Sequence, residues 1–158
     1  MADYAVYKNR IYKLKLLSDR MEIFTRSKDA LNDGFKEFKF NQGFISEVIY
    51  KKEVTANQLD MICELNFKVV YKRYEFEVVT DLTAVDNEKI IIYTREPAIA
   101  DQYDLKKKEQ FVYEKDITWT EVEALIVFKK TKEIFQDENE ETIRIEPENI
   151  KEFLKTLR

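Results

Sequence analysis

Carboxylates are the residues whose spacing first suggests chemistry. Asp29 and Asp33 stand four positions apart, and Asp101 and Asp104 three apart. Such pairs could share a proton in acid–base catalysis. Grouped with a lysine they could hold Mg²⁺ for phosphate-ester cleavage. Nothing beside either pair reads as a nucleophile or a substrate pocket, so both read as solvated loop acids. The 158-residue chain has no His and one Cys. Ser-His-Asp triads, Cys-His pairs and imidazole bases are therefore excluded, as are zinc sites built from several Cys or His ligands. The two glycines, Gly34 and Gly43, cannot build a phosphate-cradling loop. An enzyme is not expected, nor a cofactor, metal ion or small-molecule substrate.

Cys63 lies in the run Leu59, Met61, Ile62, Cys63, Leu65, which reads as the apolar side of a helix. A lone free Cys in such a run is a small core residue. Basic and aromatic residues interleave in Tyr4, Tyr7, Lys8, Arg10, Tyr12, Lys13, Lys15 and in Tyr71, Lys72, Arg73, Tyr74. Single-strand nucleic-acid surfaces use this composition, stacking bases on rings beside a charged track. Alternation puts Tyr12 and its flanking lysines on opposite strand faces, which favours core rings with solvated lysines.

Residues 1–132 hold 23 basic and 23 acidic side chains, so the net charge of −4 comes from the C-terminal segment. Asp137, Glu138, Glu140 and Glu141 are its densest part. An acidic first helical turn explains some of this excess. The functional reading is an electrostatic landing patch for a basic partner. The loop acids Asp29, Asp33, Asp101 and Asp104 are further candidate contacts.

These residues sit in a chain that matches itself at a period near 64. Val6-Tyr7-Lys8 meets Val70-Tyr71-Lys72, and Ile23-Phe24-Thr25-Arg26 meets Ile92-Tyr93-Thr94-Arg95. Asp33 and Phe35 meet Asp101 and Tyr103. Tyr50, Lys52, Glu53, Val54 and Thr55 meet Tyr113, Lys115, Asp116, Ile117 and Thr118. Thr55-Ala56-Asn57-Gln58 and Thr118-Trp119-Thr120-Glu121 are capping boxes, with Val54/Leu59 and Ile117/Val122 placed as hydrophobic staples. Each predicts the start of a helix.

Period-two alternation predicts strands over 11–16 and 74–78, with turns at Lys8-Asn9-Arg10 and Lys72-Arg73. Further strands are expected at 21–25 and 90–94, and at 45–51 and 110–115. Residues 132–135 and 142–145 suggest a last hairpin. Pro147 then opens a helix with Ile150, Phe153, Leu154 and Leu157 on one stripe. The expected class is α+β: an antiparallel sheet with about three helices, built as a duplicated β-rich unit plus capped helix. No linker divides it, so residues 1–158 are expected to form a single domain. The repeat units would be 4–66 and 67–130, and residues 131–158 would add a C-terminal hairpin and helix.

The size, the duplicated unit, and the paired segments Tyr50-Lys51-Lys52-Glu53-Val54-Thr55 and Tyr113-Glu114-Lys115-Asp116-Ile117-Thr118 resemble those of bacterial immunity proteins of polymorphic or contact-dependent toxin systems. The resemblance implies a non-catalytic inhibitor that binds a cognate toxin domain, often a basic nuclease. The alternative is a nucleic-acid-binding module using the aromatic and basic strands, which a neutral charge over 1–132 disfavours. The N-terminus lacks a signal-peptide pattern, and no apolar run is long enough to span a bilayer. A cytoplasmic protein with no membrane partner is the expectation.

Overall fold

The computed structural model describes residues 2–43, 45–83, 88–131 and 140–157. The chain opens with a hairpin of β1 (Ala2–Tyr7) and β2 (Arg10–Leu16). In β2, Tyr12 and Leu14 are buried while Arg10 and Lys15 face water. The two-residue turn between the strands holds Lys8 at φ 49° and Asn9 at φ 64°. Positive φ at both positions gives the backbone twist that a tight hairpin needs. β3 (Met21–Thr25), the 3₁₀ turn Lys28–Asp33, β4 (Lys36–Gln42), β5 (Ile45–Val54) and the 3₁₀ turn Ala56–Gln58 follow.

The same succession then recurs. β6 (Met61–Tyr71) turns into β7 (Tyr74–Val78) through Lys72 and Arg73, at φ 48° and 67°. β8 (Lys89–Thr94), α1 (Pro97–Tyr103), β9 (Lys106–Glu109), β10 (Val112–Thr118) and the 3₁₀ turn Trp119–Glu121 come next. β11 (Ala124–Thr131), β12 (Glu140–Ile145) and α2 (Pro147–Thr156) complete the described elements.

The residues fall into two compact units. The first is Met1–Leu65 with Lys129–Glu141 and Lys155–Arg158; the second is Asn66–Phe128 with Thr142–Leu154. In the first unit the strands pair in the order β4-β5-β3-β2-β1, and β1 pairs the first half of β6 from Ala2↔Leu65 to Val6↔Met61. In the second, the order is β9-β10-β8-β7, and β7 pairs the second half of β6 from Lys68↔Glu77 to Tyr71↔Tyr74. These ladders are all antiparallel.

The expectation of an α+β protein is overturned: among the described residues strands make up 56% and helical residues 21%, so the fold is β-rich. The two capping boxes do form, since the Thr55 amide donates to Gln58 Oε1 at 2.8 Å and the Thr118 amide to Glu121 Oε1 at 3.1 Å. Each nevertheless opens only one three-residue 3₁₀ turn. A cap satisfies the first turn and is worth about 1 kcal/mol, while a short isolated helix is marginal. After Gln58 the chain has ladder partners along β6, a strand of eleven residues. After Glu121 it enters the continuous apolar run Ala124–Val127, buried at every position, which suits a strand covered on both faces. Cys63 is thus buried in a strand and not on a helix. The helix at Pro147 is present, with Ile150 and Leu154 buried on its stripe.

The first unit's core gathers Tyr7, Tyr12, Leu14, Ile23, Phe35, Tyr50 and Val54, most of them from alternate strand positions. In the second, Phe76, Ile90, Ile92 and Ile117 are at most 1% exposed. Burying each such side chain contributes roughly 1.5–3 kcal/mol.

Candidate functional site

Equivalent strands of the two units build equivalent side-chain clusters. In the first, Lys8 Nζ lies 5.4 Å and Lys52 Nζ 5.9 Å from the Tyr7 ring centroid. In the second, Lys72 Nζ lies 5.4 Å and Lys115 Nζ 5.5 Å from the Tyr71 ring. Tyr7 packs further on Tyr12 and Phe35, and Tyr71 on Phe76, which meets Tyr103. Thr25 Oγ1 accepts from the Ser27 amide, and Thr94 Oγ1 from the Glu96 amide, each at 3.2 Å. Both bonds turn the chain out of a strand into a helical turn.

Those turns end in the left-handed region, at Gly34 with φ 85° and Asp104 with φ 59°. The Phe35 amide donates to the Ala30 carbonyl and the Leu105 amide to that of Ala100. The backbone therefore aligns Gly34 with Asp104, whereas the sequence match set Asp33 against Asp101. The ring of the turn comes from Phe35 in one unit and from Tyr103 in the other. Gly34 is also close-packed, since a Cβ there would stand 3.0 Å from Lys52 Nζ.

The candidate acids separate by place. Asp29 and Asp33 belong to the 3₁₀ turn Lys28–Asp33, Asp101 to α1, and Asp104 caps α1. Glu140 and Glu141 open β12, both exposed. Asp137 and Glu138 lie outside the described residues. Asp29, Asp101 and Asp104 are exposed and Asp33 half-buried. Among the described residues none of the six forms an ion pair. No group of three His, Cys, Asp or Glu that could hold a metal is found among the described residues.

Of the five rings considered for base stacking, four are buried and Tyr74 is half-buried. Tyr4 is fully buried, and Tyr7, Tyr12 and Tyr71 are at most 7% exposed. Burial, and then the charge of Asp33, pushes the Tyr12 hydroxyl above its ordinary pKa. Burial also pushes the Cys63 thiol up, which disfavours the reactive thiolate.

Different aromatic residues face water. Phe111 is 67% exposed and sits at the tip between β9 and β10 with φ 65°. At the corresponding tip between β4 and β5 the left-handed residue is Gly43, φ 61°. A bulky side chain held there is strained by about 1–3 kcal/mol. Phe38 and Phe40 on β4 are 43% and 40% exposed, and Lys51 Nζ lies 5.1 Å and 5.3 Å from their ring centroids. Sequence reasoning missed all three. For the pair, the available signal is the alternation Lys36, Phe38, Phe40. Phe111 offers none, because its backbone conformation is not encoded in residue type.

Among the described residues no helix is long and apolar enough to cross a membrane. The sequence profile of a family described as Uncharacterised conserved protein UCP033725 matches residues 1–136. No curated protein and no solved structure gives a significant match.

Proposed function

This chain belongs to the family described as Uncharacterised conserved protein UCP033725, and from that premise we propose that it is a non-catalytic protein-binding inhibitor. The observation that carries this reading is Phe111. A hairpin tip could use glycine, as the first unit does at Gly43, yet here it holds an aromatic ring in a left-handed conformation and largely in water. The left-handed backbone costs stability, and a ring that enters a partner's pocket returns more than that cost. Strain of this kind is kept where it serves function.

The exposed acids Asp29, Asp101, Asp104, Glu140 and Glu141 add surface charge that can steer a basic partner. The partner class is a bacterial toxin domain, and the chain acts as its cytoplasmic immunity protein. Burial of Tyr4, Tyr7, Tyr12 and Tyr71 weighs against the nucleic-acid alternative. Twin clusters at Tyr7 and Tyr71 support two copies of one ancestral unit, of which the second carries the anchor.

The test is affinity capture from lysate of the native organism, with low-salt, high-salt and nuclease-treated washes. The captured protein is then expressed alone and together with this chain. A stoichiometric partner that arrests growth alone, and is neutralised by co-expression, is the expected result. Nucleic acid that elutes with salt, and no such protein, would overturn the reading.

A further inference from the structure

We propose that β4 is a self-pairing edge, through which two copies of this chain join in an antiparallel dimer. Among the described residues β4 pairs only with β5, so its other side presents unpaired backbone groups. Such an edge is a template for another strand unless it is blocked. β9, its counterpart in the second unit, is blocked: it has four residues, and Lys106, Lys107 and Lys108 are all exposed. β4 is longer, with seven residues, and carries the exposed Phe38 and Phe40. The same place in two equivalent ladders is thus short and nearly all lysine in β9, but longer, with two rings and charges of both signs, in β4.

The sequence of β4 is complementary to itself in one register. A twofold axis normal to the sheet, placed at Phe38, sets Phe38 against its copy. It also sets Glu37 against the second copy's Lys39, and Lys39 against the second copy's Glu37. Within one strand Lys39 Nζ already lies 3.8 Å from Glu37 Oε1, so the dimer face would carry four charges of alternating sign. Opposite-charge pairs directly across an antiparallel ladder are favourable and like charges are not. On the other face Lys36 meets the second copy's Phe40, beside Lys51 already seated over both rings. Moving the axis to Glu37 or to Lys39 places that residue against its own copy, like charge on like. Phe38 is the centre that avoids both clashes. The interface is isologous, so it closes at two copies. Being an edge contact, it is smaller than the roughly 1,200 Å² of a standard interface and dissociates on dilution.

Sedimentation equilibrium over a range of protein concentrations tests this with wild type, Glu37→Lys, Lys39→Glu and an equimolar mixture of the two variants. The wild type is expected to move from one copy of 19.0 kDa to two as concentration rises. Each variant alone places like charges across the axis and is expected to stay monomeric. In the mixture, one chain is basic at both positions and the other acidic at both. Opposite charges then face each other across the axis, so dimers are expected to return. That return also shows that both variants are folded. A wild type that stays monomeric at every concentration would overturn the proposal. So would variants that dimerise as well as wild type, or a mixture that remains monomeric. Capture of a toxin is read independently of this mass.

Discussion

Tyr12 shows how one buried side chain links packing to pH. Its ring packs 4.9 Å from Phe35, centroid to centroid, and its residue is 4% exposed. Burial and the nearby Asp33 charge raise its pKa above the ordinary value near 10. In the unfolded chain the proton leaves first, so the folded state binds more protons above that pH, and stability falls as pH rises through it. Below the unfolded value the contribution is fully present. Melting temperature between about pH 8 and 11 is expected to decline more steeply for wild type than for Tyr12→Phe. Equal slopes would show that Tyr12 does not titrate as its surroundings require. Burial of Tyr12 and Leu14 was legible in the sequence because alternation in a strand is a one-dimensional signal. The exposure of Phe38 and Phe40 was not, because it depends on which strand lies at the end of a ladder, nor was that of Phe111, which depends on the conformation of a hairpin tip.

At the scale of elements, the hairpins at Lys8-Asn9 and Lys72-Arg73, the strands near Met21 and Lys89, and both capping boxes could be read from the sequence. What followed the caps could not. Capping-box chemistry is local, whereas the fate of Leu59–Tyr71 depends on partners in β1 and β7, the first of them distant in sequence. Local helix preference lost to the long ladder of β6. Backbone chemical shifts are expected to be strand-like without interruption across Met61–Tyr71. A helical stretch at Met61–Leu65 would contradict the observed fold. The box itself still matters to its turn: Thr118→Ala is expected to cost about 0.5–1 kcal/mol by thermal or urea unfolding, with no loss of β-sheet signal. β4 and β9 escaped the sequence reading because residues 36–41 of the one are exposed and the other is nearly all lysine. β9 lacks the half-buried pattern by which strands are recognised, and β4 offers only the short alternation Glu37-Phe38-Lys39-Phe40.

At the scale of the molecule, two units share one order of strand pairing and differ where each meets solvent. The first has an open edge with Phe38 and Phe40; the second has a lysine-guarded edge and the strained tip at Phe111. The segments in which the sequence matches itself lie on strands that pair in the same order in both units, while the units differ at positions that do not match. Phe111→Gly separates folding from function most directly. Removing the ring at φ 65° relieves left-handed strain, so stability is expected to rise by about 1 kcal/mol and the melting temperature by about 2–4 °C. Capture of the partner from lysate by the same variant is expected to fall at least about tenfold, as for loss of an interface hot spot. A variant that melts higher and still captures the partner as well as wild type would contradict the assignment of Phe111 as the anchor.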